Sequence, residues 1–154
     1  MKTKTKRSGK ANPKSTYWRN RADILWSKLI ARIWKGRCAF CGEPGRDAHH
    51  LISRRIVSIR HDPQNGIYLC PSHHRLNPYL SAHGGPVAFT EWLRGDHPEI
   101  HAWVVKTRPI IGKKPNYKEI HDSLQEQLSR AEHTDNLPVV RVQWPAADEL
   151  EKGQ

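Results

Sequence analysis

Cys38 and Cys41 are separated by two residues and followed by Gly42, and Cys70 and His73 are again separated by two. Two thiolates at this spacing, with a glycine permitting the tight turn, make half of a tetrahedral zinc site, and the second pair makes the other half. His74 adjoins His73 and could take its place, although the spacing favours His73. All three cysteines of the chain fall inside this pattern. An odd number of thiols cannot pair completely, so the spacing speaks for a structural Zn2+ rather than disulfides, and for a reducing, cytoplasmic setting. Structural zinc contributes about 10–16 kcal/mol of apparent binding energy at neutral pH, enough to close a region with few apolar residues.

Within the loop closed by these ligands lie His49-His50 and Asn65, and His74 follows His73 directly. The run Asp47-Ala-His49-His50-Leu-Ile, then Asn65-Gly-Ile-Tyr-Leu-Cys70-Pro-Ser-His73-His74-Arg, resembles the HNH endonucleases, which carry the ββα-metal, or His-Me finger, active site. The resemblance spans about 38–80 and includes the order of motifs, the zinc half-sites and the spacing of the signature residues. It implies His50 as general base, His49 and His74 as ligands of a catalytic divalent cation (Mg2+, Mn2+, Ni2+, Co2+ or Zn2+), and Asn65 as the brace of the loop between two strands. It also implies cleavage to a 5′-phosphate and a 3′-hydroxyl, and compact members of this kind are common in bacteriophages. One departure is Cys70-x-x-His73, where many zinc-bearing members have a second Cys-x-x-Cys.

Elementary chemistry supports that assignment. Phosphodiester hydrolysis needs an activated water and a cation at the leaving oxygen. Neutral imidazole is a suitable base near pH 7, and imidazole ligands favour Mn, Co, Ni or Zn over Mg. Neighbouring strand residues point to opposite faces, so His49 and His50 can address opposite sides of one phosphate. Plainer readings exist: surface histidines beside a zinc, an ordinary Asn-Gly turn, a helix-start His74. His61, His83, His97, His101, His121 and His133 are scattered and receive no role. Arg54, Arg55 and Arg60 lie in the loop between the strands, where guanidinium forks suit DNA phosphates; Arg54, four residues past His50, is the best placed to hold the scissile one.

The elements that must carry these residues can be read from periodicity. Ala22, Leu25, Trp26, Leu29, Ile30 and Ile33 form one apolar stripe, predicting a helix over about 19–34 that Gly36 stops, with Ile24 off the stripe. Short strands are expected around Ala48–Ser53 and Gly66–Cys70, and a short helix from Pro71. Gly85-Pro86 opens a helix bearing Phe89, Trp92 and Leu93 and closed by Gly95; Asp96 can cap the next, with Ile100, Trp103 and Val104. Asn116, with Glu119 three residues on, caps a last helix with the stripe Tyr117, Ile120, Leu124, Leu128 and Ala131. The expected fold is α+β: a zinc-stabilised ββα core over 38–80, an N-terminal helix over 16–37, a helical extension over 81–133, a disordered basic arm over 1–15 and a polar tail over 134–154.

Charge points to the partner. Residues 1–37 hold twelve of the 26 Lys/Arg and one of the 15 acids, so the whole net charge of +11 sits there. Lys2, Lys4, Lys6, Arg7, Lys10 and Lys14 form a basic arm on a neutral body, the footprint of a nucleic-acid binder. No apolar run approaches a membrane span, and the basic start is followed by no apolar stretch of a signal peptide. The reading is a metal-dependent endonuclease acting on DNA. Its rivals are a non-catalytic zinc module that binds DNA and a nuclease for RNA or branched DNA.

Overall fold

The computed structural model describes residues 12–107 and 114–133. Helix α1 (Thr16–Ile33) leads into a knuckle, a two-stranded antiparallel sheet of β1 (Asp47–His50) and β2 (Gly66–Leu69), and a single π-helical turn, Ser72–Leu76. Helices α2 (Pro86–Asp96), α3 (Pro98–Lys106) and α4 (Tyr117–His133) follow. The class is α+β, as the sequence implies. No helix among the described residues is long and apolar enough to cross a membrane. The proposed arm lies outside the described residues up to position 11, and so does the tail over 134–154.

α1 buries Ala22, Leu25, Trp26, Leu29 and Ile30, the stripe read from periodicity, and leaves Ile24 exposed. Its end is set by two residues in left-handed backbone, Lys35 (φ 53°) and Gly36 (φ 68°), with Gly36 N–H donating to Ala31 C=O at 2.8 Å. α4 lays its stripe along α1, burying Tyr117, Leu124 and Ala131, and Arg32 donates to the Ala131 carbonyl at 3.3 Å. Asn116 and Glu119 close the start of α4 reciprocally: Glu119 N–H donates to Asn116 Oδ1 at 3.3 Å and Asn116 Nδ2 to Glu119 Oε1 at 2.7 Å.

The sheet divides two cores. In β1, Ala48 pairs with Tyr68 and His50 with Gly66, and this face looks toward α1; His49 pairs with Ile67 on the other face. That other face joins Ile67 and Leu69 to Cys38, Cys70, Phe89, Leu93 and Ile100. Gly66 is required where it stands, because a Cβ there would lie 2.3 Å from Ile30 Cδ1 and 2.9 Å from Trp26 Cζ2. Its missing side chain lets α1 approach the sheet.

Three local expectations change. β1 stops at His50 instead of running to Ser53, because the Asn65 side chain captures Ile52 N–H at 2.7 Å in place of a strand partner. α2 continues through Gly95 to Asp96, and α3 is capped at His97 rather than Asp96. The helix expected from Pro71 is one wide turn, with Asn77 N–H donating to Ser72 C=O at 3.0 Å.

Candidate metal and base sites

The first site is built by the knuckle and the wide turn. Arg37 bridges Pro44 as the chain reverses, Cys38 N–H donates to Glu43 C=O at 2.7 Å, and Gly42 takes φ 73°. Sγ of Cys38, Cys41 and Cys70 and a nitrogen of His73 lie within 4.8 Å of one another. Cys41 Sγ to Cys70 Sγ is 3.9 Å, Cys38 Sγ to His73 Nδ1 is 3.8 Å and Cys70 Sγ to His73 Nδ1 is 3.2 Å. Tetrahedral zinc requires edges of about 3.8 Å between sulfurs and about 3.6 Å from sulfur to nitrogen, so the donor set fits the ion.

Electrostatics favour a cation there. Burial alone would raise the Cys38 thiol, but backbone N–H groups of Cys70, Cys41 and Phe40 outweigh it and lower it. Desolvation, and then the neighbouring Cys38 charge, push Cys41 up to about 11 despite an opposing bond from the Glu43 backbone. A second thiolate thus resists forming until a positive ion arrives. The His73 ring is stacked on Phe40, with centroids 4.1 Å apart, and Phe40 leans on Trp92 of α2.

His74 turns the other way. Its Nδ1 donates to Asp47 Oδ2 at 3.1 Å, which leaves the lone pair on Nε2, and Nε2 lies 3.2 Å from His83 Nε2. With His49 these make a second cluster whose ligand atoms lie within 4.8 Å of one another. Two imidazole nitrogens on one ion stand about 3.0–3.4 Å apart, so this spacing also suits a cation. Asp47 fixes the His74 ring orientation, as a carboxylate would for a histidine that binds a metal. Burial, followed by the charges of His74 and His83, pushes His49 down to about 3, so its ring is neutral at neutral pH, with one nitrogen lone pair available.

His83 received no role in the sequence reading. It arrives by tertiary hydrogen bonds: Ala82 N–H donates to His73 C=O at 2.9 Å and His83 N–H to His74 C=O at 3.2 Å. The return is tight, and a Cβ on Gly85 would lie 2.1 Å from the Tyr79 carbonyl oxygen. The available signal was a histidine directly before Gly84-Gly85, just downstream of the paired histidines.

On the opposite face, His50 Nε2 is 2.9 Å from the Arg60 carbonyl oxygen. A carbonyl only accepts, so Nε2 carries the proton and Nδ1 is the basic atom. Burial pushes His50 down to about 4, partly countered by that bond. Its ring lies flat on Trp26, centroids 3.9 Å apart and planes 14° off parallel.

Asn65 is fully buried, and its Nδ2 donates to the Ile52 and Ile59 carbonyls at 3.0 and 3.2 Å. Arg54 and Arg55 are exposed on the loop, and Lys14 is exposed before α1. Arg60, read from sequence as a DNA contact, is committed elsewhere: Nε and NH2 fork onto Asp23 at 2.7 Å each, and NH1 donates to the Arg54 carbonyl at 2.8 Å. His61, buried, contacts the same carboxylate through Nε2 at 2.8 Å. Burial would raise Asp23, but Arg60 and His61 outweigh it and hold the carboxyl well below the ordinary range.

Residues 38–76 match the model of a family described as HNH endonuclease. The match covers the knuckle, both strands and the wide turn. No curated protein and no solved structure matches the chain.

Proposed function

We propose that this protein is a metal-dependent HNH endonuclease that hydrolyses DNA phosphodiester bonds. The observation that carries the reading is the division of labour across β1: His49 joins His74 and His83 on one face, while His50 stands on the other with Nδ1 as its basic atom. His49, His74 and His83 would hold a divalent cation, which when bound supplies Lewis-acid stabilisation of the leaving oxygen. His50 Nδ1 takes a proton from water, whose oxygen forms the new bond to phosphorus as the bond to the 3′-oxygen breaks. The His50 ring is neutral at pH 7, so its Nδ1 lone pair is available. Cys38, Cys41, Cys70 and His73 would hold the structural zinc that fixes the turn from which His74 projects.

Arg54 is the proposed phosphate holder, with Arg55 beside it. The basic residues Lys2, Lys4, Lys6, Arg7, Lys10 and Lys14 are proposed to add DNA affinity without sequence readout.

The test is nicking of supercoiled plasmid with chelator, then with Mg, Mn, Co, Ni or Zn added back, with DNA binding followed in parallel by gel shift. Wild type is expected to nick only with added cation. His50→Ala should keep its zinc and its DNA binding and lose about 10²–10⁴ in rate. His74→Ala should lose activity that high metal partly restores, and His50→Ala should not respond to metal. If His50→Ala nicks as fast as wild type, a DNA-binding zinc module is the better description.

A further inference from the structure

The segment that matches the nuclease family begins at Cys38, yet the side chain that covers the His50 ring comes from before it. Trp26 lies in the middle of α1, is buried, and offers its whole face to the imidazole at 3.9 Å and 14°. Its indole Nε1–H donates to the Asp62 carbonyl at 2.9 Å, two residues beyond the Arg60 carbonyl that receives His50 Nε2. One turn earlier on α1, Asp23 grips the Arg60 guanidinium with both oxygens at 2.7 Å. The carbonyl partner of His50 therefore lies in a stretch tied to α1 at Arg60, His61 and Asp62. Gly66, directly across the sheet from His50, keeps the space open for this approach.

A histidine ring has two rotatable bonds, and its hydrogen bond to a loop carbonyl fixes one direction only. A flat partner removes the remaining rotation about that bond. From this arrangement, which rests on the nuclease reading above, we infer that Trp26 is the positioning residue of His50, fixing its ring plane by stacking, and that Asp23 acts with it by holding Arg60 and so the carbonyl that His50 addresses. α1 is thus a working part of the base, even though it lies outside the matched segment. Neither side chain touches substrate; both act through His50.

The experiment compares Trp26→Leu, Trp26→Phe and Asp23→Asn, each alone and in a His50→Ala background, in full-length zinc-loaded protein. Nicking kinetics give kcat and KM, and nitrogen-15 NMR of the histidine rings gives the His50 tautomer. Trp26→Leu is expected to lower kcat about 10- to 100-fold with KM and zinc content unchanged, and Trp26→Phe, which keeps an aromatic face, to recover most of that loss. Asp23→Asn should lower kcat less, about 3- to 10-fold, and it carries the test if Trp26→Leu does not fold.

In the His50→Ala background none of the three substitutions should cost anything further, and with His50 present Trp26→Leu and Asp23→Asn are the two that act on its ring. In the NMR spectrum they should move His50 from a single Nε2–H form to a mixture. Unchanged kcat, or an equal loss with and without His50, overturns the inference and leaves Trp26 as core packing. If the wild type cuts no DNA under any metal, the nuclease reading fails. The tautomer then decides positioning alone: a His50 ring unaffected by Trp26→Leu and by Asp23→Asn overturns it.

Discussion

The two sides of the small sheet are held together by different physics. On one side, α1 and α4 bury aliphatic and aromatic stripes against each other, with charges and capping groups at the margins. On the other, a short knuckle and a wide turn converge on four metal donors, and α2 and α3 add only Phe89, Leu93 and Ile100 to the buried core. The first side is stabilised by removing apolar surface from water, graded by area. The second gathers three thiols and an imidazole at 3.2–3.9 Å, a donor set that one ion could hold together. The contrast separates a graded response to substitution from an all-or-none one.

The largest expected effect breaks the metal side. Cys70→Ser is expected to abolish zinc binding and cooperative folding of residues 38–76, read by zinc content and by loss of the thermal transition. A zinc-free Cys70→Ser protein that melts cooperatively at the wild-type temperature would show that the apolar cluster suffices. Next comes the helical side. Leu124→Ala, at a fully packed position, should cost about 2–5 kcal/mol in denaturant unfolding and leave bound zinc unchanged. Zinc loss in that variant would mean that the two sides form one cooperative unit.

The smallest effect concerns the seam between the sides. Asp23 is ionised more readily when folded than when unfolded, so its contribution is complete above the ordinary carboxylate value of 3.8 and lost as pH falls below it. Asp23→Asn should lower stability at pH 7 by about 1–2 kcal/mol, because charge-assisted bonds are lost. The difference from wild type should narrow below that value, as measured by thermal melts across pH. A constant difference at all pH values would assign the loss to packing.

These two kinds of stabilisation also explain what could be read from the chain. Spacing of Cys38, Cys41, Cys70 and His73 is local, and so is the recurrence of Ala22, Leu25, Trp26, Leu29 and Ile30; both show without a fold. His83 does not, because its place depends on backbone bonds to His73 and His74 that no periodicity records. Trp26 shows as a stripe residue, but its stacking on His50 between helix and sheet does not. The loop arginines look alike in sequence, yet Arg60 faces inward because α1 carries Asp23, the lone acid of residues 1–37. That isolated carboxylate was the clue that one of the nearby cations would be spent on structure.

The wide turn at Ser72–Leu76 has a consequence for how metal reaches the protein. Consecutive residues of this turn, His73 and His74, serve the two clusters, and the His73 and His74 carbonyls also anchor the segment that delivers His83. An ion on the thiol side would hold in place two of the three donors on the imidazole side, His74 and His83. Linkage then demands reciprocity: each ion raises the affinity for the other by the same factor. On the proposed assignment the thiolate site would fill first, and its ion would raise the affinity of the imidazole site. If the first ion were withheld, the second would need a concentration higher by that same factor to bind.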